Sequence, residues 1–430
     1  MSAPALRLAG LGLLAACLAA AAMPALLRFG DDAFLTLSVA LAAVAALAAR
    51  DDAADRRGTV ALILAVALVM RLAVVASPPI LSTDVFRYVW DGRVQAAGIN
   101  PYRHVPADPA LAGLRDALIF PFINRADYAV TIYPPTAQAF FLLVTRLSES
   151  PLAIKLGLVA CEGLTAFAIL GLLARTGQPA SRLAAYAWHP LPVFEIAGQG
   201  HIDGLMVALM MLGIWAVLDR GRPVAGAVLV TLGALAKPFS LLALPSLWKP
   251  WDWRMVLAVP LTAALAYLPY LSVGTGVLGF LGTGYAGEQG IANGWGFTLL
   301  RLWRETFGER AHDTQIYLGL ALGLIAALAL RAGFRREADP RRRLHDIGAL
   351  CVAFLVLFSP EFPWYALLAA PFVAVAATGA GWVLTVGSLA LYDVVPGDPQ
   401  WSFETRAALL AAAILAAAAA DRYRRIGRSP

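Results

Sequence analysis

Apolar runs long enough to cross a bilayer recur from one end of this 430-residue chain to the other, and no other feature limits its fold as strongly. A span needs roughly 17–25 residues. Inside hydrocarbon every backbone N–H and C=O must be satisfied within the protein, which leaves helices or a closed barrel. Runs such as Leu8–Leu27, Thr59–Ala76 and Leu152–Ala174 are continuous rather than alternating, so they read as helices. Charged residues make up 14% of the chain and hydrophobic ones 60%, whereas soluble domains average about 25% charged. The expected fold class is an all-α polytopic membrane protein, one domain over residues 1–430 with about 12–14 spans. No internal repeat is evident, so an inverted-repeat transporter architecture gains no support.

The net charge of +6 is a topology signal, not a nucleic-acid one, because basic residues cluster between apolar runs, as in Arg331–Arg343 (RAGFRREADPRRR) and Arg422–Arg428 (RYRRIGR). Basic loops stay cytoplasmic. Residues 1–57 then form an N-terminal hairpin, Leu8–Leu27 outward and Ala33–Ala49 back, with a cytoplasmic turn at Arg50–Arg57. Leu14-Ala15-Ala16-Cys17 has the look of a lipoprotein cleavage box, but the apolar run continues past it and reads as a first span. Thr59–Ala76 runs outward, so residues 77–131 form a large non-cytoplasmic loop, expected to hold two or three short interfacial helices. A second such loop, Gly-rich, covers residues 272–314. Tyr133-Pro134-Pro135 is expected to open a span that ends near Arg146. Between Arg175 and Gly204 the signals conflict: Arg175 and Arg182 argue for the cytoplasm, while an alternating count puts them outside. That conflict predicts a short, broken or re-entrant helix. Cys17, Cys161 and Cys351 all sit in apolar runs, which gives neither a disulfide framework nor a zinc site.

The polar stretch Ser82–Tyr102 (STDVFRYVWDGRVQAAGINPY) follows directly on an apolar run. With Thr83 as N-cap, a helix there places Asp84, Arg87, Tyr88 and Asp91 on one face and Phe86, Val89, Trp90 and Val94 on the other. Such a helix is expected to lie along the membrane surface with both carboxylates turned to a cavity. The plainer reading is a connecting helix with solvated charges.

Ionisable residues at bilayer depth cost at least about 2.5–3.5 kcal/mol on insertion scales, so each needs a reason. Lysine occurs only at Lys155, Lys237 and Lys249. Lys237, inside an apolar run and before a proline, is either a clamp for a phosphate or a lysine snorkelling to headgroups. Glu195, His201 and Asp203 (EIAGQGHID) form a second polar knot. It reads as a hydrogen-bonded group shaping a cavity or, on two ligands only, half a metal site. His189-Pro190 reads as a helix end, and Glu361, Trp364 and Tyr365 in SPEFPWY as an aromatic interfacial turn whose acid could bond a sugar. Arg103, His104 and Asn124-Arg125 are candidates for substrate binding in the large loop. There is no Walker A motif and no strand–GxGxxG–helix unit. An activated donor reaching the outer face would therefore have to be carried by the membrane.

The stretch TDVFRYVWDGRVQAAGINPY resembles the first-loop acidic motif of GT-C glycosyltransferases, polytopic enzymes that use polyprenyl-phosphate sugars. More closely it is similar to the bacterial polyprenol-phosphate-mannose-dependent mannosyltransferases. TIYPPTAQ (Thr131–Gln138), HPLPVFEIAGQGHIDGLMV (His189–Val207), LAKPFSLLALP (Leu235–Pro245) and SPEFPWYALLAAP (Ser359–Pro371) fit the same branch, over about residues 60–375. The resemblance leaves the N-terminal hairpin outside its pattern. It implies a GT-C-like bundle in the bacterial cytoplasmic membrane, with inverting transfer of a sugar, by the family's habit mannose, to a hydroxyl on the non-cytoplasmic side. Asp84 would be the catalytic base. Asp91, Tyr88, Tyr133, His201, Asp203 and Glu361 would support it or bind acceptor and sugar, and Lys237, Arg87 and Arg103 would hold the donor phosphate. A divalent metal, if used, would sit at Asp84 and Asp91. The expected partners are membrane lipid, the polyprenyl-phosphate sugar and an acceptor of unspecified class. The alternative from another class is a transporter or flippase of a lipid-linked saccharide.

Overall fold

The computed structural model describes residues 3–51, 56–335, 339–393 and 401–426. Residues 52–55, 336–338 and 427–428 of the basic clusters named above lie outside them. Among the described residues the chain is helical and carries no strand. Seven helices are long and apolar enough to cross a membrane, among them Pro151–Arg175 and Asp313–Gly333, and five apolar helices are shorter, such as Asp203–Leu218 and Pro223–Ala234. Against the 12–14 spans expected from the sequence, seven helices among the described residues are of full span length. Prolines account for several of the breaks, as at Pro238 and Pro363, where the helix restarts as 3-10 turns. Large apolar side chains such as Leu257 and Leu320 point outward from the bundle, and one continuous apolar core runs from Leu8 to Ile414.

Two ends of the bundle can be told apart by what they gather. At one end Arg7 pairs with Asp51, and Ser181 Oγ donates to Ala49 O. There, too, Arg341 Nε reaches Thr176 O at 2.7 Å and Arg175 Nε reaches Leu218 O at 3.2 Å. At the other end Lys155 Nζ donates to Ser77 O at 2.6 Å, Leu81 N–H to Gln199 Oε1, and Asn100 Nδ2 to Tyr270 O. The 25-residue helix Pro151–Arg175 joins them, a length of about 37 Å.

This geometry corrects the expected span at Tyr133–Arg146. Pro135–Thr145 has only 11 residues, about 16 Å, roughly half the hydrocarbon thickness. Thr136 N–H donates to Leu235 O, Arg146 bonds Ala96 O, and the next helix starts beside Ser77. Both ends of this helix therefore stay at the same end of the bundle. The missing crossing is made instead by Ala180–Gly198, in 3-10, α and π pieces. All of these pieces except Arg182 are buried. Irregular backbone is tolerated at that depth because neighbouring protein, not lipid, surrounds it. One span removed and one added puts Arg175 and Arg182 at the same end as Arg341, which resolves the conflict in the sequence.

The large loop holds the helix Asp84–Ala96 and the 3-10 turns Pro109–Leu114 and Phe120–Phe122. Asp84–Ala96 is not a surface helix. Its ring-bearing side and most of its polar side are both buried, including Val85, Arg87, Trp90 and Asp91. Pro135–Thr145 packs so closely on it that a Cβ at Gly92 would lie 2.5 Å from Thr145 Oγ1.

Candidate active site

The site draws on segments far apart in the chain: Ser82–Asp91, Asn124–Tyr133, Glu195–Asp203, Lys237, and the residues Trp364, Tyr365 and Tyr392. Asp84 is the first residue of its helix. Thr83, at the N-cap position, makes no side-chain cap, and Ser82 Oγ accepts the Asp84 N–H instead at 3.2 Å. The carboxylate thus sits at the positive end of the helix dipole. Asn124 Nδ2 donates to its Oδ1 at 2.6 Å, and Oδ2 stands 4.0 Å from His201 Nδ1. The Asp84 side chain is 18% exposed, while that of Asp91 is 2% exposed.

Asp91 is consumed by its neighbours. Oδ1 accepts from Arg87 Nε at 2.8 Å, and Oδ2 accepts from Thr131 Oγ1 and from Gln138 Nε2. Arg87 spends its remaining reach on Ala129 O at 3.1 Å. Of the two aspartates, only Asp84 is partly exposed. An ion held jointly by Asp84 and Asp91 does not fit this arrangement. Among the described residues no group of three or more His, Cys, Asp or Glu is placed to hold a metal.

Asp203 opens the helix Asp203–Leu218 and is fully buried, with Oδ2 bonded to Lys237 Nζ at 2.6 Å and Oδ1 without a partner. Lys237 sits where Pro223–Ala234 gives way to Pro238, which frees the backbone and turns the ammonium toward Asp203 and over the Tyr365 ring, 4.6 Å from its centroid. Tyr88 and Tyr133 meet edge to face at 4.9 Å, forming an aromatic wall. His201 is fully buried and stacks on Trp364, centroids 4.1 Å apart. Trp364 and Tyr365 are buried and form part of the site's wall, whereas Phe362 of the same SPEFPWY segment is exposed. Glu361 is half-buried and lines a separate cleft between Pro340–Phe358, Gly379–Gly387 and Phe403–Ile426, with apolar walls such as Leu355, Leu384 and Leu410. Tyr365 also lines that cleft. Arg103 is exposed on the loop surface.

The second loop closes over this region. Tyr285 hydrogen-bonds Tyr365, and Glu288 accepts from Arg125 Nε and from the Tyr128 hydroxyl, both at 2.7 Å. Burial works against the Glu288 charge, yet Tyr128 and Arg125 bring its carboxyl below the ordinary value. Arg125 is held in the left-handed region at φ 55 and feels the Asp84 charge. Sequence reasoning had no means of finding Tyr392, Tyr285 or Glu288. Each reaches the site through the fold alone, in segments without a polar knot of their own.

A family model described as "Alpha-(1->6)-mannopyranosyltransferase, N-terminal domain" matches residues 8–252. The match takes in the N-terminal hairpin. Among curated proteins, alpha-(1->6)-mannopyranosyltransferase A of Mycobacterium tuberculosis is 26% identical over 328 residues, covering 67% of this chain and 60% of the relative. A protein of Mycolicibacterium smegmatis named as a probable alpha-(1->6)-mannopyranosyltransferase is 25% identical over 361 residues, covering 71% and 63%. The chain thus spans less than two thirds of the length of the curated relatives it matches. No solved structure matches.

Proposed function

The chain belongs to the alpha-(1->6)-mannopyranosyltransferase family, and on that premise we propose that it moves mannose from a polyprenyl-phosphate carrier to a hydroxyl acceptor, inverting the anomeric carbon. The observation that carries this reading is Asp84: a partly exposed carboxylate, bonded by one amide, at the mouth of a buried group of complementary charges. Asp84 removes the acceptor proton as its oxygen attacks the sugar. The leaving phosphate departs as an anion and needs a cation, not an acid. Lys237, 13% exposed beside Asp203, keeps that role, and Arg125, near Asp84, takes the place of Arg87 and Arg103. Arg87 is spent on Asp91, and Arg103 lies on the loop surface.

Asp91 is sealed, so this helix offers no second carboxylate for a covalent intermediate, and single displacement follows. An α product by inversion requires a β-linked donor. The cleft lined by Leu355, Leu384 and Leu410 suits the carrier's hydrocarbon tail, and Tyr365 connects it to Lys237. Arg175, Arg182 and Arg341 gather at the far end of the bundle from Asp84. Basic ends face the cytoplasm, which supports a site on the opposite face of the bacterial inner membrane. Both curated relatives carry transferase names, and no observation favours transport over them.

The test is purified protein in detergent with β-linked polyprenyl-phosphate [14C]mannose and envelope lipid extract. Labelled α-mannosylated product is expected. Transfer from GDP-mannose alone, or none from the lipid donor, overturns the reading.

A further inference from the structure

Within the site, one buried side chain has no structural explanation. His201 is fully enclosed, and both of its ring nitrogens lack a hydrogen-bond partner. Buried polar atoms are nearly always satisfied, and here a carboxylate lies near each nitrogen. Nδ1 is 4.0 Å from Asp84 Oδ2, and Nε2 is 3.4 Å from Glu195 Oε2. The ring cannot swing away. Trp364 lies against it with planes 22° apart. The preceding Gly200 adopts φ +82, with Val85 and Lys155 side-chain atoms 3.1 Å from where a Cβ would stand. Glu195 is fully buried, and the Tyr392 hydroxyl lies 2.8 Å from both of its oxygens. Arg406 in turn holds the Tyr392 carbonyl. The charged and titratable groups around the imidazole are Asp84 on one side, Glu195 and Tyr392 on the other, and the Asp203–Lys237 pair beyond.

We propose that His201, backed by Glu195 and Tyr392, is a positioning residue for Asp84. The inference rests on the transferase reading. In the transfer step the acceptor O–H bond breaks, its electron pair forms the new bond to the sugar, and its proton goes to Asp84 Oδ2. The bond from sugar to phosphate breaks with its pair leaving on phosphate. The Asp84 O–H bond then breaks and its proton passes to the departing phosphate or to water, restoring the carboxylate. The buried imidazole stays neutral throughout: it fixes where Asp84 stands, and Glu195 and Tyr392 fix the ring. Sites of this kind are often loose before substrate arrives, so the 4.0 Å gap closes as the acceptor settles.

The experiment compares wild type, Glu195→Gln, Glu195→Asp, Tyr392→Phe and Asp84→Asn in detergent with polyprenyl-phosphate mannose, reading kcat and donor KM from pH 5 to 9. Glu195→Gln is expected to lower kcat by about 10-fold or more with donor KM unchanged, and Glu195→Asp to recover part of it. Tyr392→Phe keeps the carboxylate but removes its hydroxyl donor. Its kcat is expected to fall less than in Glu195→Gln, again with donor KM unchanged. That variant also covers the case in which Glu195→Gln does not fold. Profiles that superimpose on wild type, or a loss equal at every pH with raised donor KM, overturn the proposal. Full activity in Asp84→Asn would instead sink the base assignment, a separate failure.

Discussion

Asp84 and Asp91 stand on one helix, two turns apart, and the fold treats them oppositely. Around Asp91 every oxygen is matched, with Arg87, Thr131 and Gln138 closing a network that excludes solvent. Around Asp84 the neighbouring polar atoms are left short: both nitrogens of His201, Oδ1 of Asp203 and Nε2 of Gln199 are buried without a partner. Fully satisfied networks fix a fold. Violations of local rules concentrate where a protein does chemistry. The contrast supports the proposal that the carboxylate with fewer partners is the working one and that the better-bonded one is scaffold.

The sharpest way to break that contrast is Asp84→Asn, expected to reduce turnover by roughly 10²–10⁴-fold with unchanged thermal stability in detergent. Turnover near wild type would erase the distinction. Asp91→Ala should do the reverse: breaking a buried pair costs about 3–5 kcal/mol, seen as a lower melting temperature or poor yield, while the folded fraction keeps its specific activity. A soluble, stable Asp91→Ala protein without activity would make Asp91 catalytic after all. Lys237→Gln should lower kcat by on the order of 10²-fold, and it leaves Asp203 without its cation. If only KM rises, Lys237 binds the donor without helping the phosphate leave.

The smallest effect is expected at the loop closure. The Glu288 carboxyl is depressed against its unfolded value, so its contact with Arg125 is present above the ordinary carboxylate range and is lost as pH falls through the folded value. Protease nicking of residues 279–297 should therefore rise in acid in wild type. Glu288→Gln should show the raised rate already at neutral pH, with activity changed only a few-fold.

Much of this protein was legible as sequence. Asp84 stood out because it follows directly on a span and shares one helix face with Arg87, Tyr88 and Asp91, and Glu195, His201 and Asp203 stood out as a polar knot between apolar runs. Which face of Ser82–Tyr102 would be open was not legible. The groups that seal Asp91 come from Thr131 and Gln138, 40 and 47 residues away. The crossing at Ala180–Gly198 was hidden as well, because hydropathy assumes a helix facing lipid, and this segment is surrounded by protein.

By itself the sequence determined that the chain is helical and lives in a bilayer. The cost of placing backbone and charge in hydrocarbon is local and can be read one run at a time. Only the tertiary structure decided which polar groups are matched. A hydrogen bond such as that between Tyr392 and Glu195 joins residues 197 positions apart, and its existence depends on how helices pack, which no single run encodes.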